Sequence, residues 1–279
     1  MRGRSFQSGA FMAMASIANP DLTGFAGISL ATVTIAVLLL VICEVRYPAI
    51  RGCSSRASRW PANLGLGLIN LAVASVMPVS GVLAAKWAGE NGVGVLNILE
   101  IQTSLAIATA ILMRSLVDYA RHRAMHEISW LWRFHRVHHS DEVVDVSTAA
   151  RIHWGELAVS AVISAVGMIF IGAPVLAIII YDGLDAAFGA FQHSNIRLPR
   201  VTEMALRPLI MTPELHRVHH SVRCIETNTN FGGLFSFWDR LFATYRSPAK
   251  MGVRNFGLQE RRGNTTCSLR RLLMDPLTD

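Results

Sequence analysis

Residues 118–140 read DYARHRAMHEISWLWRFHRVHHS, and the arrangement of the whole chain follows from this stretch. It contains five of the ten histidines, and its last six residues, HRVHHS, recur letter for letter as residues 216–221. Within each copy the histidines are spaced i, i+3 and i+4, which places the three imidazoles on one face of a helix. The chain must therefore bring two histidine-bearing helices together, and a metal centre is the first function to test.

The composition is that of a membrane protein rather than a soluble domain. Of the 279 residues 52% are hydrophobic and 16% are charged, and the mean hydropathy is +0.37. The formal net charge of +7 does not indicate nucleic-acid binding, because the arginines are scattered between apolar runs and form no basic face interleaved with aromatic residues. Retention of positively charged loops on the cytosolic side of a membrane accounts for the excess.

The cysteines indicate no covalent framework. Cys43, Cys53, Cys224 and Cys267 lie far apart and show no paired spacing. We therefore expect neither disulfides nor a zinc site built on thiolates.

Apolar runs predict an all-α, multipass membrane bundle. Residues 28–45, 64–85 and 98–117 are each long enough to cross about 30 Å of hydrocarbon, the second with a kink at Pro78. Residues 157–191 form a fourth apolar block, interrupted by the sequence Gly-Ala-Pro at 172–174. At about 1.5 Å per residue its two legs are short for full crossings, so we interpret the block as a helical hairpin that enters and leaves on one face, or nearly spans and returns.

Charge places the histidine-rich segments on one side of the membrane. Four arginines lie between residues 46 and 59, where Pro48 and Pro61 are expected to end helices, and this loop is predicted to be cytosolic. Three crossings and a returning hairpin then bring both HRVHHS copies and His193 to the cytosolic face as a helical cap. We expect a bacterial inner membrane rather than the endoplasmic reticulum.

Three regions follow from these patterns. Residues 1–27 form an N-terminal segment, residues 28–246 form the membrane domain with the metal site, and residues 247–279 form a polar tail. The tail has no apolar periodicity, and we expect it to be loosely ordered.

Clustering favours metal binding by the histidines over ordinary surface or hydrogen-bonded roles. His122 and His126 are four residues apart and share a helix face, as do the histidines of each HRVHHS copy. More than one ion is indicated, because a single ion of four- to six-fold coordination cannot use eight nitrogen donors. Nitrogen-rich sites suit iron, copper and zinc alike. A bis-histidine haem protein and an ion transporter remain alternatives, although both would place ligands within the membrane.

Two carboxylates, Asp182 and Asp185, lie in the returning leg of the hairpin. An ionisable residue at membrane depth is a functional hypothesis, and an interfacial position near the end of the leg is the alternative. The sequence leaves both interpretations open.

The order of motifs resembles the fatty acid hydroxylase/sterol desaturase superfamily of membrane di-iron enzymes. The resemblance runs from about residue 44 to residue 246 and rests on three histidine boxes with their neighbours. The matching residues are Glu44, Pro48, Arg59, Asn63, Asp118-Tyr119, His122, His126, Leu131-Trp132, His135, His138, His139, Arg151, His153, Glu156, Gln192 to Asn195, Thr212-Pro213, His216, His219, His220, Asn230 to Gly232, Trp238 to Phe242 and Thr244-Tyr245. The chain departs from the family at Gly189, where some relatives have a histidine, and at Trp154, where proline is frequent.

The resemblance implies two iron ions, O₂ as co-substrate and oxidation of an unactivated C–H bond in a lipid-like substrate. The implied ligands are His122, His126, His135, His138, His139, His193, His216, His219 and His220, with His153 as a further candidate. Carboxylates and amides near the boxes, namely Asp118, Glu156, Asn195 and Asp239, are candidates for hydrogen bonds to the ligands. Electrons are expected from a separate ferredoxin, or from a cytochrome with its reductase.

The resemblance leaves the reaction and the substrate open. Hydroxylation is expected, and desaturation is the alternative within the family. A membrane protein that binds or transports metal without catalysis is the alternative of another class. Fatty acyl chains, sterols, carotenoids and amino-acid lipids all remain candidate substrates.

Overall fold

A computed structural model describes residues 20–51, 55–248 and 255–278. Within these ranges the chain is helical, without β-strands and with isolated bridge pairs only, so the prediction of an all-α fold is confirmed. We number the helices in chain order. Their bounds are Pro20–Arg46 (α1), Arg56–Val76 (α2), Gly81–Glu90 (α3), Val95–Ile98 (α4), Thr103–Glu127 (α5), Ser129–His139 (α6), Trp154–Ile171 (α7), Val175–His193 (α8), Arg200–Leu206 (α9), Pro213–His219 (α10), Cys224–Thr227 (α11), Phe237–Leu241 (α12) and Leu269–Met274 (α13).

Two expectations fall partly outside the described ranges. Residues 1–19 of the predicted N-terminal segment and Cys53 are not among the described residues. Cys43, Cys224 and Cys267 are free thiols.

Three helical stretches in the described ranges are long and apolar enough to cross a membrane: Arg56–Ile98, Trp154–Ile171 and Val175–His193. The first contains the predicted span 64–85. Predicted span 28–45 lies in α1, whose large apolar side chains are mostly exposed, as expected for a helix that faces lipid. The predicted span 98–117 lies mainly in α5.

The hairpin prediction is right about the turn, and each leg extends slightly beyond the apolar block. The legs are the helices α7 and α8, and the turn between them contains Gly172 with φ +69°. Because α7 begins at Trp154 and α8 continues to His193, they have 18 and 19 residues. At about 1.5 Å per residue each leg is roughly 27 Å long, which approaches the thickness of the hydrocarbon layer.

The two prolines near α2 act differently from each other. Pro78 lies between the end of α2 at Val76 and the start of α3 at Gly81, so the predicted kink is a full interruption. Pro61 does not end a helix, contrary to the prediction, because α2 already begins at Arg56 and includes it. The side chain of Ser55 caps α2 by accepting a hydrogen bond from the Ala57 amide at 3.1 Å.

Small residues allow α3, α5, α7 and α8 to pack closely. The buried cluster between them contains alanines from all four helices: Ala84, Ala85, Ala106, Ala110, Ala165 and Ala177. Above it, a Cβ atom added to Gly94 would lie 2.2 Å from the backbone nitrogen of Gly172. The loop before α4 and the α7–α8 turn therefore pack backbone against backbone.

A buried polar network fastens α1 and α2 to the segment that follows α6. The guanidinium of Arg59, 2% exposed, donates to Asp141 at 2.9 Å and to Asp145. At the end of α1, the Glu44 carboxylate accepts hydrogen bonds from the backbone amides of Val146 at 2.8 Å and Asn195 at 2.6 Å. These bonds hold two loops of the histidine-bearing end against the membrane helices.

The tail is ordered between residues 255 and 278, so the expectation of a loose tail is wrong there. Helix α13 packs on α2, with Leu269 against Gly65, and Leu272 joins a buried cluster with Leu66 and Val137. Asp275 follows α13 and forms an ion pair with Arg136 of α6 at 2.7 Å. The sequence shows no periodicity here because the apolar contacts come from a helix of only six residues.

Candidate metal centre

Nine of the ten histidines meet at one end of the bundle. They are carried by the last turns of α5, by α6, by the end of α8, and by α10 with its C-terminal cap: His122, His126, His135, His138, His139, His193, His216, His219 and His220. Ile128 separates α5 from α6 with extended backbone angles of φ −100° and ψ 114°. The chain turns at this residue and lays α6 against the end of α5.

The nine residues form two groups whose potential ligand atoms lie within 4.8 Å of one another. The first group contains His122, His126, His135, His139 and His219, and the second contains His138, His193, His216 and His220. The groups adjoin, because the rings of His139 and His220 stack with their centroids 4.5 Å apart. All nine histidines named from the sequence are thus brought together around two centres.

Each HRVHHS copy contributes to both groups. In the first copy, the i and i+4 residues, His135 and His139, enter the first group, and His138 enters the second. The second copy is arranged the opposite way, with His216 and His220 in the second group and His219 in the first. The repeat is therefore a pair of helices that present opposite faces to the same two centres.

The nitrogen positions suit coordination of a metal ion. In the second group the Nε2 atom of His193 lies 3.0 Å from that of His138 and 2.9 Å from that of His216. The Nε2 atoms of His216 and His220 are 3.1 Å apart. Two nitrogen ligands at right angles on an ion with bonds of ~2.1 Å would be ~3.0 Å apart. Four buried imidazole nitrogens at such separations could hold a metal ion between them.

Most of the rings are fixed through their other nitrogen. In the first group, Nδ1 of His122 is 2.8 Å from the Phe231 carbonyl oxygen, and Nδ1 of His219 is 2.8 Å from that of Thr229. In the second group, Nδ1 of His193 donates to the Gly189 carbonyl at 2.6 Å. Because each Nδ1 faces an acceptor, it carries the proton of the neutral ring, and Nε2 is the nitrogen available as a ligand atom.

Burial favours the neutral form of four histidines in α6 and α10, counting the cap residue His220. It lowers the pKa of His138, His139, His216 and His220 well below the ordinary value for histidine, and the neighbouring imidazoles lower it further. Neutral imidazole is the form that binds metal.

His153 is not part of either group. It lies at the N-terminal cap of α7, where its Nδ1 accepts a hydrogen bond from the Gly155 amide at 3.0 Å. Its Nε2 is 3.2 Å from the carbonyl oxygen of Leu273 in α13. Both ring nitrogens are thus engaged in holding α7 and the tail.

Of the four polar residues expected beside the ligands, Glu156 contacts one directly. Its carboxylate accepts a hydrogen bond from Nδ1 of His135 at 2.9 Å. Asp239 acts indirectly. It accepts a hydrogen bond from the Phe231 amide at 2.7 Å and so positions the Phe231 carbonyl, which is hydrogen-bonded to His122.

The other two residues have different partners. Asp118 forms ion pairs with Arg114 and, at 3.3 Å, with Arg121. Asn195 exchanges hydrogen bonds with the backbone of Ile50, both at 3.0 Å, and so joins α8 to the segment after α1.

Sequence reasoning did not identify Asn228 and the carbonyl acceptors. The Asn228 side-chain oxygen is 3.2 Å from Nδ1 of His126. Backbone carbonyls leave no trace in residue identity, and Asn228 lies in a loop with no histidine spacing to mark it.

A cavity of about 220 Å³ opens beside the histidines, between α5, α7 and α8. His138, His193 and His216 of the second group and His122 and His135 of the first form one end of its wall. Asp118, Arg121 and Asp185 also line it. A second cavity of about 360 Å³ reaches His126 and Trp132 from the side of α11.

Comparison with known proteins agrees with this geometry. Residues 107–244 match the family described as fatty acid hydroxylase. An ornithine lipid hydroxylase of Rhizobium tropici is 32% identical over half of this chain and 41% of its own length. Alkylglycerol monooxygenases of Caenorhabditis elegans and Homo sapiens are 32% and 29% identical over 46% of this chain, and over 25% and 28% of their own lengths.

The chain thus matches less than half of the length of each of these relatives. No solved structure matches it significantly. The matched segment contains all nine clustered histidines, both HRVHHS copies and the α7–α8 hairpin. Residues 107–244 of the chain thus belong to the fatty acid hydroxylase family, and the resemblance predicted from the sequence is confirmed.

Proposed function

We propose that the protein is an oxidoreductase that hydroxylates a C–H bond of a membrane lipid with O₂, using two iron ions. The observation that carries this proposal is the division of nine buried histidines into two adjoining groups beside a cavity. The relatives named above, an ornithine lipid hydroxylase and two alkylglycerol monooxygenases, support the same reaction class. Their names favour hydroxylation over desaturation.

The donor set suits iron in both groups. The first group would hold one ion and the second the other, each through imidazole nitrogens, and most of the rings are fixed by backbone carbonyls, Glu156 or Asn228. Nitrogen ligands suit copper and zinc as well, and iron is proposed because an unactivated C–H bond requires a redox-active metal. Bound iron supplies the activation of O₂ that breaks this bond.

The side chains around the site orient the histidine ligands and enclose the cavity. Glu156 keeps the His135 ring in one tautomer by accepting its Nδ1 proton. The cavity between α5, α7 and α8 would hold the lipid carbon beside the histidines. The apolar helices α7 and α8 provide a path by which a lipid can reach it from the membrane.

Location and electron supply complete the proposal. The arginines near α2 favour a cytosolic histidine-bearing end in a bacterial inner membrane. A separate ferredoxin or cytochrome would then deliver electrons from the cytosol. The second cavity, at His126 and Trp132, shares no lining residue with the first.

The test is reconstitution of the purified full-length chain with ferrous iron under anaerobic conditions. We expect about two iron ions per chain, one for each histidine group. After a reductant, isotopically labelled O₂ and a membrane lipid extract are added, mass spectrometry should find a lipid heavier by one labelled oxygen atom. Full activity with less than one iron per chain would refute the iron assignment, and an unaltered lipid extract would refute hydroxylation.

A further inference from the structure

We propose that the cavity beside the second histidine group selects lipids that carry a primary ammonium group, and that Asp185 binds this group. The inference rests on the proposed lipid hydroxylase function and names its substrate class. It depends on the shape of the cavity, on the balance of charge in its wall and on unpaired hydrogen-bond acceptors.

The cavity follows one face of α8 from Asp185 to the histidines. Asp185, Gly189 and His193 are spaced by four residues, so they lie on the same helix face, and all three line the cavity. Two helical turns, about 12 Å along the axis, separate Asp185 from His193. A Cβ atom added to Gly189 would meet no heavy atom within 4 Å. The space between the carboxylate and the second histidine group is therefore open.

Gly189 is also where the two histidine groups differ. In the first group His122 precedes His126 by four residues, whereas the residue four positions before His193 is Gly189. The second group consequently has four histidines rather than five, and the missing side chain leaves room for a ligand. A lipid bound along this face would reach the second group first.

The wall near Asp185 carries an excess of negative charge. Two guanidinium groups and three carboxylates lie in this region: Arg121 and Asp118 line the cavity with Asp185 and pair at 3.3 Å. Arg114 and Asp182 do not line it; Arg114 pairs with Asp118 and, at 3.7 Å, with Asp182. Asp185 has no ion pair within 4.0 Å among the described residues. Metal ions bound by the histidines would add positive charge about two helical turns from Asp185, at the end of the cavity where the Glu156 carboxylate lies.

Two further acceptors in the wall lack donors. The second carboxylate oxygen of Glu156 and the side-chain oxygen of Gln192 are buried without a hydrogen-bond partner, in residues that are 3% and 7% exposed. Both residues line the cavity. A primary ammonium group supplies three donors and a positive charge, an alcohol supplies one donor, and a quaternary ammonium supplies none. Gln192 and Glu156 lie at the histidine end of the cavity, so they can accept from another polar group of the same lipid, while Asp185 accepts from its protonated primary amine.

The experiment compares three lipids on full-length protein in lipid nanodiscs. The probes are an ornithine lipid, its N-acetylated form and an alkylglycerol of equal chain length. Dissociation constants are measured by competition on the iron-loaded and on the metal-free protein, and products are measured on the iron-loaded protein. We expect the wild type to bind the ornithine lipid roughly 10- to 100-fold more tightly than the acetylated form, which is the range of a charge-assisted hydrogen bond.

Matched variants assign this preference to one residue. Asp185→Asn should reduce the preference to about unity, and Asp185→Glu, which restores the charge, should retain most of it. Asp182→Asn removes a carboxylate one turn away that does not line the cavity, and it should keep the preference. Melting temperatures of the variants show that each one is folded.

The outcomes separate this inference from the proposed function. A preference that is absent in the wild type, or unchanged in Asp185→Asn, overturns the role of Asp185. An equal loss of turnover for all three lipids without a change in binding also overturns it, because the carboxylate would then be serving proton transfer. A preference that persists in metal-free protein and disappears in Asp185→Asn supports the inference even if the iron-loaded protein modifies none of the lipids.

Discussion

The smallest unit of the site is the histidine triplet of one HRVHHS motif, because each triplet faces two centres. Residues at i and i+4 lie on one side of the helix face and the residue at i+3 is displaced toward the other side. His138 therefore belongs to the second group although its neighbours His135 and His139 belong to the first. A change of one histidine should affect one ion more than the other.

The first prediction concerns this division. His138→Ala removes a ligand atom of the second group and His219→Ala removes one of the first. Each variant should lose about one of two bound metal ions, and each should lose hydroxylation, because the proposed reaction needs both. Metal analysis together with product formation checks this, with His153→Ala as a control that keeps both ions. Loss of both ions in either variant would show that the two groups fill as one unit.

The second prediction concerns pH. The pKa values of His138, His139, His216 and His220 are lowered in the folded chain, chiefly by burial. Below about pH 6.5 the unfolded chain binds protons at these sites and the folded chain does not, so stability falls as pH falls. Each such histidine contributes up to about 1.4 kcal/mol per pH unit. The melting temperature of metal-free protein should therefore fall steadily from pH 7 to pH 5, and a constant value would contradict the burial of neutral rings.

Residue spacing identified eight of the nine clustered histidines, because helical periodicity puts residues i, i+3 and i+4 together. His193 has no such neighbour and was named from the family resemblance. Residue spacing could not identify what holds the rings. The acceptors on His122, His219 and His193 are backbone carbonyls, whose positions depend on loops that pack only in the folded chain. His153 was named as a candidate because it is a histidine near the boxes, and its ring is instead engaged at a helix cap.

At the scale of elements, the apolar runs predicted where helices lie but not where they end. The legs of the hairpin were judged short because Trp154 and His193 lie beyond the apolar block, whereas both residues continue the helices. Helix ends are set by caps and tertiary contacts rather than by hydropathy. Glu44 and Asn195 illustrate this, because their buried hydrogen bond joins the end of α1 to the loop after α8.

The third prediction tests the closest contact between elements. Gly94 has φ +99°, and an added Cβ would meet the backbone of Gly172 at 2.2 Å. The segments around Gly94 and Gly172 can therefore make room for it only if one of the two loops moves. Gly94→Ala should lower the free energy of unfolding by more than about 3 kcal/mol. Gly89→Ala is the control, because Gly89 is in α3 and has no atom within 4 Å of an added Cβ. Thermal unfolding in detergent should separate the two variants, and equal melting temperatures would refute the contact.

At the scale of the whole molecule, the histidine-bearing end is held from both sides. Helices α1 and α2 support it through Glu44 and Arg59, and the tail closes over α6 from the other direction through Asp275 and Arg136. From charge and the number of spans, the sequence predicted that both HRVHHS copies and His193 lie on one side of the membrane. It did not predict the role of the tail, whose contacts with α2 and α6 join residues more than a hundred positions apart.

The fourth prediction follows from this support. Leu272, 3% exposed, packs with Leu66 of α2 and Val137 of α6, and Val137 lies directly before His138. Leu272→Asp places a charge in this cluster, so it should destabilise the protein by about 3 kcal/mol or more and weaken metal binding by releasing α6. Leu277→Asp changes an equally apolar residue in the same tail that is 74% exposed, and stability should change by no more than about 0.5 kcal/mol. The melting temperature and the metal content of the two variants are measured. If Leu272→Asp keeps its full metal content at a lowered melting temperature, the tail stabilises the bundle without positioning the histidines. If it loses metal at a temperature where the membrane helices remain folded, the tail also positions the histidines.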